Sequence, residues 1–325
     1  MKIRVIGLVL AVAAILSLTL TAFAATGTNE EVDDGVYYVD AGLPTAPYYG
    51  AQETSDTPFC LEGVPMDALV YQVQNKVNYV TVESFVTALD REAVVEEENG
   101  VVNVNAVAVA DVVDVVAWEM DSDDTAEANV EDEVLNLTAR VGAYYVEANG
   151  RCLYVEDGVI TVEGKVALPI RVLAKVFNLD VSYDGESQTV LLERQKGASA
   201  YLADGESYYN SDALYWLSHI IHAESGNQSL AGKLAVGNVV MNRVEHPDFP
   251  DTIYDVLFQK NQFGPAASGS IYREPNAESV IAAKLVLDGA EVLEDVLFFN
   301  RAGMNTRAAR TRTHVATIGA HAFYA

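Results

Sequence analysis

The chain has 325 residues, half of them hydrophobic, and a formal net charge of -27. That length allows two or three domains rather than one. Residues 25 to 206 hold 9 cationic against 35 acidic side chains, a net of -26, so this half repels nucleic acid and anionic membranes and makes both poor partners.

Lys2 and Arg4 precede an apolar run from Val5 to Leu20, and Ala22-Phe-Ala24 supplies the small-x-small pattern of a signal peptidase site. This predicts a signal peptide over 1–24 and a secreted or cell-wall-associated protein with no membrane contact after cleavage. The alternative is an uncleaved anchor, although the run is rich in Ala and Thr and barely long enough to span a bilayer. Residues 25–57 are rich in Gly, Pro, Thr and Tyr without a sustained period, and read as an extended or disordered lead-in.

A shift of 88 places sets Tyr79-Val-Thr-Val-Glu-Ser-Phe-Val-Thr-Ala-Leu89 on Ala167-Leu-Pro-Ile-Arg-Val-Leu-Ala-Lys-Val-Phe177, with apolar positions coinciding at Val80/Leu168, Val82/Ile170, Phe85/Leu173 and Leu89/Phe177. The pattern predicts an α+β stalk of two copies, 58–118 and 136–194, each a short helix flanked by strands. Between them, 119–135 is an acidic linker. Leu168-Pro-Ile-Arg-Val-Leu-Ala174 and Val181-Ser-Tyr-Asp184 resemble the copper amine oxidase N-terminal-like domain, a stalk in exported bacterial proteins; the first copy departs from it with Thr81 in place of proline. The front half contains no histidine, so no copper site accompanies the resemblance. Cys60 and Cys152 lie near the start of each copy, where a disulfide between copies is conceivable.

Residues 195–209 read as a linker and 210–325 as a mainly helical last domain. If the stalk merely presents the enzyme, a chain beginning near Tyr208 should fold by itself. Ser211 or Asp212 can cap a helix ending near Gly226. With Leu214 at zero, Ile220 falls near ~240°, Leu217 ~300° and Ile221 ~340°, and Glu224 falls among them at ~280°. A carboxylate inside an apolar arc loses hydration, its pKa rises, and it becomes a candidate general acid. The alternative is a frayed last-turn residue reaching water. Leu230 to Val244 is apolar around much of its circumference and predicts a buried central helix, with Ala231, Ala235 and Gly237 permitting close neighbours. Shorter helices at 252–259 and 276–287, an extended 296–300 and a polar loop over 301–312 follow.

Ala223-Glu-Ser-Gly226, Leu230 to Pro247, Phe249-Pro-Asp-Thr-Ile253, Gln262-Phe263, Phe299-Asn300 and Ile318-Gly-Ala-His-Ala-Phe-Tyr324 together resemble the SleB/CwlJ-type cell wall hydrolases, in that family's order. The resemblance implies a lysozyme-like, lytic-transglycosylase-like fold and places the catalytic acid on Glu224. It implies cleavage of the MurNAc to GlcNAc bond of peptidoglycan, of spore cortex or vegetative wall, without a cofactor. Ser225, Gln262, Phe263, Asn300 and His321 are then the expected substrate-binding residues, with Tyr324 of similar character. Ser225 either holds the acid's turn or bonds its own backbone, and Phe263 is either a sugar-stacking ring or core. A second carboxylate, if one is used, would be Asp248, Asp251 or Glu274. Arg301, Arg307, Arg310 and Arg312 suit an anionic glycan strand, whereas Met304-Asn-Thr306 stands where the family has an aromatic residue.

Two readings compete. All five histidines, His219, His222, His246, His314 and His321, lie in the last domain, which suits a zinc-dependent peptidoglycan amidase. His219 and His222 fall near ~140° and ~80°, however, away from Glu224, and no His-Glu-x-x-His occurs, so no metal ligand set is expected. The other competitor is a non-catalytic wall-binding protein.

Overall fold

The computed structural model describes residues 53–55, 59–66, 70–72, 77–108 and 133–325. The expected signal peptide, most of the lead-in and most of the acidic linker fall outside these residues. The front domain contains β1 (Glu53–Ser55), β2 (Phe59–Leu61), β3 (Val64–Pro65), β4 (Val70–Gln72), β5 (Asn78–Thr81), α1 (Val82–Leu89), β6 (Val94–Glu98) and β7 (Val101–Ala108). It continues with β8 (Glu133–Arg140), β9 (Tyr145–Ala148), β10 (Arg151–Tyr154), β11 (Ile160–Val162), β12 (Lys165–Pro169), α2 (Ile170–Val176), β13 (Leu179–Asp184) and β14 (Thr189–Arg194). Strict alternation makes the strands. In β7, Val102, Val104 and Ala106 are buried while Asn103 and Asn105 are exposed, and β8 presents Ala139, Leu137 and Leu135 opposite those three.

The strands form three sheets in the orders β1-β4-β5-β12-β11, β10-β9-β8-β7-β6 and β13-β14-β2-β3. Two expectations change here. The strands of the two expected copies interleave instead of forming successive bodies: β2 pairs in parallel with β14, β12 pairs with β5, and one core runs from Phe59 to Leu202. Val80 and Leu168, which the 88-residue shift superposes, are direct cross-strand partners. Thr81 and Pro169 then occupy the same place at the start of α1 and α2, and Thr81 supplies the side-chain cap that proline lacks by accepting from the Ser84 N–H. The second change concerns 195–209. Tyr201 and Leu202 are buried in the front core, and the Asn178 amide donates to the Ser199 and Tyr201 carbonyls, so this stretch is packed and not a free linker. Cys60 and Cys152 are both free thiols, and burial pushes the Cys152 thiol up to about 12.

The last domain contains α3 (Gly205–Tyr208), α4 (Ser211–Ser225), α5 (Leu230–Glu245), α6 (Ile253–Phe258), α7 (Gly264–Ser268), a 3-10 turn at Ser270–Tyr272 and α8 (Ala277–Leu287). It ends with β15 (Phe298–Arg301), α9 (Arg307–Thr311), β16 (His314–Ile318) and β17 (His321–Tyr324), in a sheet of order β15-β17-β16. Asn210, not Ser211 or Asp212, caps α4 by accepting from the Ala213 N–H. Helices α4, α5 and α8 pack on one another around Leu217, Ile220, Ile221, Leu234, Val236 and Ala282, all fully buried. Gly237 makes the crossing possible: a Cβ there would lie 2.8 Å from Val286 Cγ2 and 3.1 Å from Ile221 Cδ1. Gly237→Val is therefore expected to cost about 1–3 kcal/mol through overpacking, read as a lower urea midpoint at unchanged slope. No helix among the described residues is long and apolar enough to cross a membrane.

The two domains share a polar junction built on Asp288, whose side chain is 1% exposed. Arg151 of β10 pairs with it, Lys175 of α2 reaches it at 3.3 Å, and the Tyr209 hydroxyl donates to it. The Arg151 guanidinium also lies over the Tyr208 ring at 3.4 Å, and Lys284 Nζ donates to the Gly150 carbonyl at 2.9 Å. Cys152 belongs to the core of the last domain. A stalk that only presents the enzyme would leave no such contacts, and a chain beginning at Tyr208 would strip Asp288 of both its cations.

Candidate active site

The last turn of α4 carries Glu224. Gly226 follows with helical backbone angles, and its N–H bonds to the His222 carbonyl. A side chain at Gly226 would strike that same carbonyl at 2.6 Å, so the turn requires glycine. Glu224 is half-buried beside the wholly buried Ile220 and Ile221, and burial raises its carboxyl above the ordinary carboxylate range. No hydrogen bond or charge enters as a further cause of that shift. A carboxyl so placed keeps its proton nearer to neutral pH, which is the state a proton donor needs.

Two segments brace this turn. The Asn276 N–H donates to His222 Nδ1 at 3.3 Å, and the Asn276 amide donates to the Gly226 carbonyl at 3.2 Å, so the start of α8 is fixed against the end of α4. Gln228, in the α4–α5 connection, accepts from the Ala320 N–H at 2.9 Å and thereby holds the β16–β17 turn beside it. Its carbonyl accepts from Lys233 Nζ at 2.7 Å, and Lys233, 1% exposed, also pairs with Glu278. Gln228 and Lys233 were not singled out in the sequence. The available signal was a lysine inside the otherwise apolar start of α5, which only a buried partner explains.

The expected binding residues fare differently. Ser225 is fully buried and its hydroxyl donates to the Ile221 carbonyl at 2.8 Å, so it fixes the helix end and has no path to a substrate. Phe263 is 3% exposed, lying 6.3 Å from the Phe299 ring and 5.1 Å from the Arg243 guanidinium; it is core. Tyr324 is likewise buried, against His314. Gln262 is exposed and free to meet a ligand.

Asn300 has both amide atoms buried without a protein partner, and His321 has a buried, unpartnered Nδ1 and a pKa lowered by burial. Such groups hold unmet hydrogen-bonding capacity. They do not share a face, because Asn300 pairs with Ala322 and His321 with Arg301, and neighbouring residues on a strand point opposite ways. His321 lies with Phe299, 5.3 Å away.

Of the three possible second carboxylates, Asp248 and Asp251 follow the far end of α5, which carries the chain about 24 Å from the connection at Gln228. Glu274 instead lies two residues before Asn276 and is exposed. The histidines are dispersed: His219 is buried with Nδ1 2.8 Å from the Tyr215 carbonyl, His222 accepts from Asn276, His246 from the Asp248 N–H, and His314 meets Thr317. Among the described residues, no three His, Cys, Asp or Glu stand close enough to hold a metal ion. Arg243 also went unnoticed in the sequence. It is 4% exposed, bonds the Leu297 carbonyl, lies among Phe249, Phe263 and Phe298, and is pushed down to about 10 by burial.

Comparison with known proteins agrees with this division. Residues 227–324 match the cell wall hydrolase family, a span beginning just after Glu224, and residues 81–192 match the copper amine oxidase N-terminal domain. The chain is 28% identical to a spore cortex-lytic enzyme of Bacillus cereus over 116 residues, 35% of this chain and 45% of that protein. It is 25% identical to a spore cortex-lytic enzyme of Bacillus subtilis over 131 residues, 40% of this chain and 42% of that protein. It thus spans less than half the length of these relatives. The catalytic domain of the germination-specific lytic transglycosylase SleB from Bacillus anthracis aligns at 26% identity and a TM-score of 0.35, over 38% of this chain and all of that one. The chain therefore carries a cell wall hydrolase domain at its C-terminal end, behind a domain of the copper amine oxidase N-terminal type.

Proposed function

We propose that the protein is an exported peptidoglycan-degrading enzyme that cleaves the MurNAc to GlcNAc bond as a lytic transglycosylase, with Glu224 as both acid and base. The observation that carries this reading is the half-buried Glu224 carboxyl, raised by desolvation, at the end of a helix braced by Asn276 and Gln228. In the first step Glu224 gives its proton to the glycosidic oxygen as the bond from C1 of the sugar to that oxygen breaks. In the second, the C6 hydroxyl of the same sugar attacks C1 and its proton returns to the Glu224 carboxylate, closing a 1,6-anhydro ring. One carboxylate suffices for this sequence. The far placement of Asp248 and Asp251 removes two of the three candidates for a second carboxylate and leaves Glu274.

Gln262 and one of Asn300 and His321, which lie on opposite faces of the sheet, are proposed to meet the glycan. The two unpartnered polar groups and the exposed amide favour that role. Glycan strands are the proposed partner. Export rests on the signal-like residues 1–24 and on the spore cortex and wall relatives. The front domain is proposed to be an intertwined duplication, a reading supported by the partnering of Val80 with Leu168.

Digestion of purified cortex and vegetative peptidoglycan, followed by mass spectrometry of the products, tests the reaction. Anhydro-muramyl ends are expected. Reducing ends would mean hydrolysis instead, and free peptides an amidase.

A further inference from the structure

Trp216 is the centre of an aromatic cluster that the catalytic reading leaves unused. Tyr215, Tyr254, Phe258 and Tyr272 surround it, with ring centroids at 4.9, 5.2, 5.4 and 6.0 Å. Three elements contribute: α4, α6 and the 3-10 turn at Ser270–Tyr272. The tyrosines are 43%, 48% and 59% exposed for Tyr215, Tyr254 and Tyr272, an unusual concentration of large rings on one surface.

Their arrangement decides what they suit. Tyr215 is backed by the His219 ring at 4.0 Å, and Tyr254 by Phe258 at 4.5 Å in a stacked pair. One face of each ring is therefore covered, the ring is held rigid, and the exposed half remains free at small entropic cost to a ligand. Every exposed ring ends in a hydroxyl, so the surface is apolar at its faces and polar at its rims. A pyranose ring has the same character, with C–H bonds on its face and hydroxyls around its edge, and no member of the cluster is charged.

The position is equally telling. Trp216 precedes Glu224 by eight residues on the same helix, a rise of about 12 Å. Tyr272 opens the segment that runs to Asn276, and Asn276 bonds to His222 and Gly226 at the same end of α4 as Glu224 but on its other side. On α4 Trp216, near ~200°, stands about 80° from Glu224, whereas Tyr215, near ~100°, takes the opposite side with His219, so a strand that touches both the cluster and the acid passes over Trp216.

We propose that Trp216, Tyr254 and Tyr272 form a glycan-stacking platform, separate from the reacting centre, that holds a sugar of the strand beyond the one being cleaved. The proposal rests on the peptidoglycan reading above. It predicts that binding strengthens with strand length.

The test uses the full chain carrying Glu224→Gln, titrated calorimetrically with a peptide-free octasaccharide of alternating GlcNAc and MurNAc. Adding Tyr254→Ser and Tyr272→Ser is expected to weaken binding about tenfold. Adding Tyr254→Phe and Tyr272→Phe instead keeps the stacking faces and is expected to retain most of the affinity. In the Glu224 background, the same serine pair should raise KM more on long strands than on short fragments. Equal octasaccharide affinity in the serine and parent chains would overturn the platform while leaving Glu224 its role. No binding in any of them would overturn the peptidoglycan reading and the platform together. A parent chain that sediments as a dimer, and separates into monomers with the serine pair, would make the cluster a self-association surface and overturn the glycan assignment.

Discussion

Glu224→Gln is expected to lower the cleavage rate by about 10²- to 10⁴-fold or more, because in the proposed mechanism one residue supplies the proton in the first step and removes it in the second. Glutamine keeps the size and hydrogen-bonding shape of the side chain, so Ser225, Ile221 and the brace from Asn276 should hold the helix end as before. The pH dependence of stability separates this outcome from simple damage. A carboxyl whose pKa is higher in the folded than in the unfolded chain is destabilising when ionised, and that cost fades as pH falls through the folded pKa and is gone below the unfolded one. The variant should therefore melt at a higher temperature than the native chain at pH 7, and the difference should close below about pH 4. Full activity in the variant would falsify the acid assignment. Lost activity with a lower melting temperature at pH 7 would mean that Glu224 supports the fold instead.

Arg151→Ala is expected to destabilise the protein by about 3–5 kcal/mol, the cost of leaving a buried carboxylate without its main partner. Lys175 and the Tyr209 hydroxyl still reach Asp288, which places the result toward the lower end of that range. Replacing Arg151 with Met and Asp288 with Leu removes both buried charges while Tyr209 keeps its hydroxyl for the Cys152 N–H, and should restore most of the loss. Urea unfolding of the three chains gives the comparison. If the domains were merely tethered, the Arg151–Asp288 pair would behave as an exposed one, and Arg151→Ala would cost no more than about 1 kcal/mol.

How far the sequence discloses this molecule depends on the distance over which each feature is encoded. Glu224 is legible because its apolar neighbours Leu217, Ile220 and Ile221 stand on the same helix, and a period of 3.6 residues places them together. The close packing at Gly237 is legible for the same reason. Asn300 and His321 are reached through resemblance alone, since nothing local distinguishes an asparagine with unmet hydrogen bonds from one in a turn. Phe263, Tyr324 and Ser225 are misread because an aromatic ring or a hydroxyl has the same local pattern whether it faces sugar or core. The β16–β17 hairpin hides behind alanine and threonine, with a register irregularity between His314 and Ala316 that breaks the alternation. The pairing of β2 with β14, and of Arg151 with Asp288, joins residues more than a hundred positions apart, and no window of sequence contains both ends.

The junction at Asp288 also changes what the charge of the front domain does. Joined by a buried ion pair, the acidic side chains described in the front domain are not a solvated tether but cargo fixed to the catalytic domain. The last thirty residues contain no acid and hold Arg301, Arg307, Arg310 and Arg312. On the proposed anionic glycan substrate the acidic front domain would be repelled and the four arginines attracted, so a joint that fixes one to the other favours approach by the arginine-bearing segment. Salt weakens such alignment over a Debye length of about 8 Å at physiological ionic strength, so the rate of productive arrival at the wall becomes a property of the medium as much as of the enzyme.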